Sequence, residues 1–156
     1  VTGVQTCALP ISLGGGSGIS GACIVAKGID PSIEVLAVQS EQAQAGYLSW
    51  KKGEIVESEM NTVAEGIATR SGYELAQQIM ADLLDDFLLV SDDEIHQAIG
   101  TLVDKAHTLA EGAGATALAG AIRYPEKVKG KKVAITVSGG NITVDQLRES
   151  LNVYQS

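Results

Sequence analysis

The sequence predicts an α/β fold with three layers, in which a mostly parallel β-sheet carries helices on both faces. Three apolar segments rich in Val, Ile and Leu predict buried strands at 32–39, 86–91 and 131–138. Stretches with helical periodicity alternate with these strands along the chain. The alternation indicates a parallel sheet, because parallel neighbours need crossover connections. Continuously apolar strands indicate that both faces of the sheet are covered.

Two of the predicted helices carry a capping signal at their start. Ser91 and Glu94 have the S-x-x-E spacing of a capping box. Thr143 and Gln146 repeat that spacing before the last predicted helix. We therefore expect helices to begin directly after Ser91 and Thr143.

A further helix is predicted within residues 71–86. Gly28 and Gly53 stand where helices are expected to end, because glycine readily adopts the left-handed conformation that follows many helix C-termini.

Composition limits the class of protein. The chain has 156 residues, 45% of them hydrophobic, and a formal net charge of −8. Nucleic acids and anionic membranes both require a basic face, so neither is an expected partner. The sequence lacks an apolar run of roughly 20 residues and a basic start typical of signal peptides. These features predict a soluble cytoplasmic protein, and the spacing of Cys7 and Cys23 indicates neither a disulfide nor a zinc site.

The glycine-rich stretch 14–21 is the strongest functional signal. Glycine tolerates positive φ and has no Cβ, so several backbone N–H groups can point at one spot. A predicted helix begins directly after the glycines, and the partial positive charge of its N-terminus adds to those groups. We therefore expect a binding site for an anion such as a phosphate. The alternative is a flexible turn without a ligand.

A second glycine turn, Ser138–Gly139–Gly140–Asn141, follows the third predicted strand. We call it the SGGN turn. It places the Ser138 hydroxyl at the end of a buried strand with no bulky residue over it. Taken alone, this stretch is also consistent with an ordinary turn.

Five ordered motifs resemble one enzyme family. The segments GGGSGISGACIVAKG, AEGIATR, SDDEI, EGAGATALAGA and KKVAITVSGGN have the order and spacing of the threonine/serine dehydratases. These are pyridoxal-phosphate (PLP) enzymes of the tryptophan synthase β-like fold. The resemblance extends from about Leu13 to Leu151.

The resemblance implies a set of cofactor-binding residues. The cofactor phosphate would lie in the loop formed by Gly14, Gly15, Gly16, Ser17 and Gly18. The Ser138 hydroxyl would face the pyridine nitrogen, with Asn141 in the same motif. Glu111 and the backbone at 65–66 would lie beside the cofactor. For Glu111, capping of a helix N-terminus is an equally open alternative.

The family further implies a reaction. It would be β-elimination from threonine or serine to give a 2-oxo acid and ammonia, catalysed by a homo-oligomer acting on a small amino acid. Serine racemase and hydroxyaspartate dehydratase are alternatives within the same fold.

Some relatives bind Mg²⁺ or Ca²⁺ through a Glu directly after the segment that corresponds to VLAV, residues 35–38 here, and an Asp six residues later. Gln39 and Ala45 occupy those positions here. Without the two carboxylates, we expect no metal site of this kind.

The family also requires a lysine that forms a Schiff base with the cofactor, and no lysine in this sequence matches it. We therefore expect no catalytic residue in this chain. Residues 1–12 are similar to the translation of a short-read sequencing adapter, so we expect 13–156 to be the C-terminal part of a PLP enzyme domain. CALPISL is still expected to join the sheet as a strand.

Two other functions stay open. Gly16, Gly18 and Gly21 fit the G-x-G-x-x-G pattern of NAD-binding domains, with Glu41 as a possible ribose ligand. However, Gln39 stands where that acid should end the strand. The other alternative is a non-catalytic remnant, without activity of its own.

Overall fold

The computed structural model describes residues 7–155. The strands are β1 (Cys7–Ser12), β2 (Glu34–Ser40), β3 (Asp86–Val90) and β4 (Lys132–Val133). The helices are α1 (Ser17–Ile29), α2 (Ala45–Lys52), α3 (Glu74–Leu83), α4 (Asp92–Ala106), α5 (Gly112–Arg123), α6 (Pro125–Val128) and α7 (Val144–Gln155). Short 3₁₀ turns cover Glu41–Ala43 and Glu65–Ile67. Residues 1–6, half of the adapter-like segment, and residue 156 lie outside the described residues. None of the helices within 7–155 combines the length and the apolar composition that crossing a bilayer requires.

The four strands form one sheet in the order β3-β2-β1-β4, and every pairing is parallel. Leu9 lies opposite Val35, and Val38 lies opposite Leu88. The predicted parallel α/β fold is confirmed. The expectation that CALPISL joins the sheet is also confirmed, because β1 pairs with β2 on one side and with β4 on the other.

The core lies on both faces of this sheet. Val35 and Ala37 of β2 pack in one cluster, while Leu36 and Val38 pack in another. The first cluster includes side chains from α1, α3 and β3: Ile19, Cys23, Met80 and Phe87. The second includes side chains from α4 and α5: Ile95, Ile99, Leu102 and Ala115. Because alternate residues of a strand point to opposite faces, the apolar run Val35–Val38 of β2 packs on both sides of the sheet, and the molecule has three layers.

The third predicted strand is wrong over most of its length. Only Lys132–Val133 of the predicted 131–138 has strand structure, and it lies at the edge of the sheet. The pairing continues through one backbone bond, from Ala134 N to Ala8 O (3.1 Å). Val133 and Val137 are each 39% exposed. β4 has a neighbour on one side only among the described strands, so its apolar residues have little surface to pack against.

Both predicted capping boxes are confirmed. Glu94 N donates to Ser91 Oγ at 3.2 Å, and Ser91 N donates to the Glu94 carboxylate at 2.7 Å. Thr143 and Gln146 make the same reciprocal pair, at 3.0 and 3.2 Å. These bonds fix where α4 and α7 begin.

The helix ends agree with prediction in one case and differ in another. Gly53 follows α2 in the left-handed conformation, with φ of 71°, as predicted. The prediction for Gly28 is wrong, because Gly28 lies inside α1. That helix ends at Ile29, and the N–H of the C-cap residue Asp30 donates to the carbonyl of Ala26. Within the predicted 71–86 segment, α3 is shorter than the segment, and residues 84–85 lead into β3.

Candidate cofactor site

The glycine loop, residues 14–18, connects the carboxyl end of β1 to the start of α1. Gly16 is the N-cap of α1 and has φ of 92°, a conformation that side chains other than glycine rarely adopt. A Cβ at Gly16 would also overlap the Cβ of Ala76 on α3. Glycine is therefore required here twice over, and contact with α3 fixes the path of the loop.

The N-terminus of α1 has no competing acceptor from its own sequence. No side chain caps it, and its first turn contains no acidic residue. The first helical bond runs from Ser20 N to Gly16 O (3.0 Å), so the N–H groups of the three preceding residues lie outside the helical ladder. No atom lies within 4 Å of the position that a Cβ on Gly18 would take. Such an open, electropositive helix end suits a phosphate.

The far end of α1 is fixed by an ion pair. Lys27 Nζ donates to the Asp85 carboxylate and to the carbonyl of Ile33, each at 2.7 Å. Cys23, one turn earlier, is fully buried against the sheet. Burial raises the pKa of the Cys23 thiol, the negative charge of Asp85 adds to the rise, and Lys27 opposes it. This end of the helix is a structural anchor that keeps the N-terminus at the loop.

A cavity of about 280 Å³ opens in front of the glycine loop. Residues from five parts of the chain form its walls: Ile11 and Ser12; Gly14, Gly15, Gly16, Ser17 and Gly18; Gly66 and Ile67; Glu111 and Ala113; Thr136 and Ser138. Seven of the eight predicted cofactor-binding residues are among them. The structure therefore brings the loop, Glu111 and Ser138 together around one space.

Asn141, the eighth predicted residue, lines a neighbouring cavity of about 300 Å³. The two cavities share Gly66, Glu111 and Ala113. The side chain of Glu65 also lines this second cavity and accepts a hydrogen bond from Gln146 Nε2 at 3.3 Å. Asn141 and Glu65 therefore line the neighbouring cavity and not the cavity in front of the glycine loop.

Glu111 is the N-cap residue of α5, but its side chain makes no capping hydrogen bond. Glu111 therefore lies at a helix N-terminus, as the capping alternative expects, but its carboxylate does not accept a hydrogen bond from the helix. Its Oε1 lies 3.9 Å from the position of a Cβ on Gly66, and it would overlap a Cβ on Gly139. The carboxylate lies between the backbone of Gly66, which lines both cavities, and the backbone of Gly139.

The SGGN turn is bound to α5 on one side. Glu111 N donates to Gly139 O at 3.0 Å. A Cβ at Gly114 would lie 2.5 Å from that same Gly139 carbonyl oxygen. The expectation that Ser138 ends a buried strand is wrong, because Ser138 is exposed and lies beyond the short β4. Its hydroxyl nevertheless borders the cavity.

Asp92 binds the segment that leads into the cavity wall at Gly66 and Ile67. One carboxylate oxygen of Asp92 accepts from Ser40 Oγ (2.8 Å) and Thr62 Oγ1 (2.6 Å), and the other accepts from Val63 N (2.9 Å). Sequence reasoning missed this role, since an acid in the first turn of a helix has a sufficient explanation in the helix dipole. It also missed Thr136, which alternates with Ser138 and so shares its side of the strand-like segment.

None of the eight lysines, all of which fall within the described residues, lines this cavity. Lys27, Lys127 and Lys131 pair with Asp85, Asp86 and Glu34 respectively. Lys105 pairs with Asp104. These lysines have partners away from the glycine loop.

The geometry does not favour a dinucleotide site. Glu41, the possible ribose ligand, pairs with Arg123 Nη1 at 2.7 Å. Gln39, at the end of β2, is fully buried, so its side chain is not available to a ribose.

Comparison with known proteins agrees with this arrangement. A family model described as pyridoxal-phosphate dependent enzyme matches residues 6–139. L-threonine ammonia-lyase of Thermotoga maritima is 37% identical over 144 residues, which are 91% of this chain and 35% of the relative. Serine racemase of Schizosaccharomyces pombe is 32% identical over 93% of this chain and 45% of the relative.

Among solved structures, processed threonine deaminase isoform 2 of Solanum lycopersicum superposes with a TM-score of 0.87 at 28% identity. The superposition covers 98% of this chain and 45% of that one. The chain thus spans less than half the length of each of these three relatives. The family model covers most of the described residues, including every wall of the cavity, and the chain belongs to the family of pyridoxal-phosphate dependent enzymes.

Proposed function

We propose that this chain forms the phosphate-binding side of the cofactor site in a PLP-dependent threonine or serine ammonia-lyase. One observation carries the proposal: the open N-terminus of α1 and the glycine loop face the same cavity as Ser138 and Glu111. A hard anion fits this cavity wall, because backbone N–H groups and the helix dipole meet there without an acidic side chain in the first turn of α1.

When bound, PLP supplies the electron sink that makes elimination from an amino acid possible. The chain's own residues would then hold and orient it. Backbone N–H groups at Ser17 and Gly18 would bind the phosphate, and the Ser138 hydroxyl would bond to the ring nitrogen. A hydroxyl there does not require a protonated ring. Glu111 would lie beside the ring, and Asn141 would support the turn that carries Ser138.

For the whole protein we propose β-elimination of threonine or serine to a 2-oxo acid and ammonia. The relatives include a threonine ammonia-lyase, a serine racemase and an L-threo-3-hydroxyaspartate ammonia-lyase, so racemisation and elimination from hydroxyaspartate are the alternatives within the same fold. Because no lysine lines the cavity, the chain on its own would bind PLP reversibly and would not turn over substrate. We further propose a cytoplasmic, homo-oligomeric enzyme, in keeping with the acidic composition.

The anion site can be tested with two matched substitutions on α1. Gly18 lines the cavity and Gly21 does not, and neither position has an atom within 4 Å of a new Cβ. Gly18→Asp would place a carboxylate at the helix N-terminus, where it competes with a bound phosphate. Calorimetric titration with PLP and with inorganic phosphate should show at least about tenfold weaker binding for Gly18→Asp, the equivalent of one lost charge-assisted bond.

Gly21→Asp is the control, and its affinity for both anions should stay within about twofold of wild type, as surface substitutions usually have small effects. Gly18→Asp should not unfold the chain, because an acid in the first turn favours a helix. Equal anion affinity in the two variants would contradict the proposed site.

A further inference from the structure

Gln39 is a completely buried amide at the carboxyl end of β2, and both of its polar atoms are hydrogen bonded. Its Nε2 donates to the carbonyl of Leu13 at 3.3 Å, and its Oε1 accepts from Tyr47 N at 3.1 Å. The orientation of the amide is fixed by these partners, since a carbonyl only accepts and a backbone N–H only donates. Gln39 thus joins the residue before the glycine loop to α2.

Leu13 is held at three points. Its N–H donates to Val38 O at 2.8 Å, its carbonyl accepts from Gln39, and its side chain is 2% exposed. The packing around the pair is close. A Cβ at Gly46 would lie 2.6 Å from Leu13 Cδ2 and 3.2 Å from Gln39 Oε1. The peptide that begins the glycine loop, Leu13–Gly14, therefore has a fixed carbonyl direction.

We propose that Gln39 is a positioning residue for the glycine loop, acting through the Leu13 carbonyl. The proposal rests on the anion site proposed above. A buried amide that uses its donor on one element and its acceptor on another contributes geometry as well as stability. Without the bond from Gln39, the Leu13–Gly14 peptide can rotate, and the N–H groups that follow it in the loop no longer point in a common direction.

This arrangement needs no cation. Both polar atoms of Gln39 are used by protein groups, and Ala45, six residues later, is buried and offers no side-chain oxygen. The residues present do not fit a Mg²⁺ or Ca²⁺ site here, because such ions require several oxygen ligands. The two hydrogen bonds of the Gln39 amide connect the glycine loop to α2 without a metal ion between them.

Replacing Gln39 by glutamate distinguishes the hydrogen bond to Leu13 from the packing of the side chain. Gln39→Glu has nearly the same shape, but an ionised carboxylate would present an acceptor to the Leu13 carbonyl. Burial and this repulsion raise the pKa of the new carboxyl. Below that pKa the protonated acid donates to Leu13 O as the amide does, and above it the bond is lost. The loss of anion affinity in Gln39→Glu should therefore be large at high pH and become smaller as the pH falls.

Sulfate is a suitable probe, because it stays a dianion from pH 5 to 8, and each variant is compared with the wild-type chain at the same pH. At pH 8, Gln39→Glu should bind sulfate at least about tenfold more weakly than wild type, the loss expected for one buried hydrogen bond. At pH 5 the difference should fall to about threefold or less as the acid becomes protonated.

Gln77→Glu is the matched control. Gln77 Nε2 also donates to a backbone carbonyl, that of Gly46 at 3.0 Å, which belongs to α2 and not to the glycine loop. Its substitution should change the thermal midpoint and leave sulfate affinity within about twofold of wild type. If Gln39→Glu does not fold at pH 8, Gln39→Met removes both bonds without adding charge, and it should show the same weakened binding with no pH dependence.

Hydrogen exchange at residues 14–18 separates failure of this inference from failure of the anion site. If wild type binds no sulfate, the anion site is wrong, and faster exchange in the Gln39 variants alone would still support positioning. Unchanged exchange at 14–18 together with unchanged sulfate affinity in both Gln39 variants would overturn the role of Gln39. An equal loss of sulfate affinity in Gln77→Glu would also overturn it.

Discussion

The two glycine turns that border the cavity are held in different ways. The glycine loop follows an inner strand, and Leu13 before it bonds to Val38 and to Gln39. The SGGN turn follows the edge strand and is tied to α5 by one backbone bond, from Glu111 N to Gly139 O. The loop has neighbours on several sides, whereas the SGGN turn packs against the start of α5 and the segment before it, and Ser138, Gly140 and Asn141 are exposed.

The difference shows that position in the sheet decides how firmly a turn is fixed. A turn after an inner parallel strand inherits hydrogen bonds from the neighbouring strand and packing from helices on both faces. A turn after an edge strand has half of that support. A substitution at Gly16, where the glycine loop packs against α3, should therefore cost much more free energy of unfolding than an equal substitution in the SGGN turn.

Gly16→Ala against Gly139→Ala is the direct test of this difference and should give the largest effect. Alanine at 16 would need a left-handed conformation, which costs about 1–2 kcal/mol, and its Cβ would overlap Ala76, which costs about 1–3 kcal/mol more. We expect a loss of about 3 kcal/mol in the free energy of unfolding for Gly16→Ala, measured by urea denaturation.

Gly139→Ala should cost less than about 1 kcal/mol. Gly139 does not have positive φ, and the group its Cβ would meet is the carboxylate end of Glu111, which can rotate away. Similar losses in the two variants would show that both turns are fixed equally firmly.

Gly114→Ala should have an intermediate effect and acts on the SGGN turn through its support. The new Cβ would lie 2.5 Å from the Gly139 carbonyl, a backbone atom that can move only if the turn moves. Alanine also favours the helix over glycine by about 0.5–1 kcal/mol, so the net loss should be about 1 kcal/mol. Hydrogen exchange should accelerate at 138–141 and stay unchanged at 14–18. Acceleration at both turns would show that they are coupled.

Much of the fold follows from local patterns in the sequence. β2 was predictable because both of its faces are buried, and α4 because Ser91 and Glu94 form its capping box. The segment 131–138 has the same apolar pattern as β2, yet only two of its residues form a strand. The apolar pattern of a segment shows which residues a strand could bury. It does not show how many strands will lie beside it in the sheet.

The candidate site shows the same limit. The glycine loop is identifiable because glycine at a strand-to-helix turn has a specific conformational reason. Gln39 and Asp92 give no such signal. Their roles depend on which distant groups the fold brings to them, Leu13 for the amide and Thr62 for the carboxylate. A buried polar side chain can be recognised from sequence only by its type, whereas its function lies in its partners.

The smallest effect is expected for Ser138→Ala. Ser138 is exposed and borders the cavity, so removing its hydroxyl should change the free energy of unfolding by less than about 0.5 kcal/mol. Inorganic phosphate, which needs only the glycine loop, should bind as in wild type. PLP should bind more weakly by about threefold to tenfold, because its ring would lose one hydrogen bond. Calorimetric titration of both ligands separates the two turns: phosphate reports on the loop alone, and PLP on the loop together with the SGGN turn. Equal PLP affinity in wild type and Ser138→Ala would remove the hydroxyl from the site and leave the glycine loop as the part that holds the cofactor.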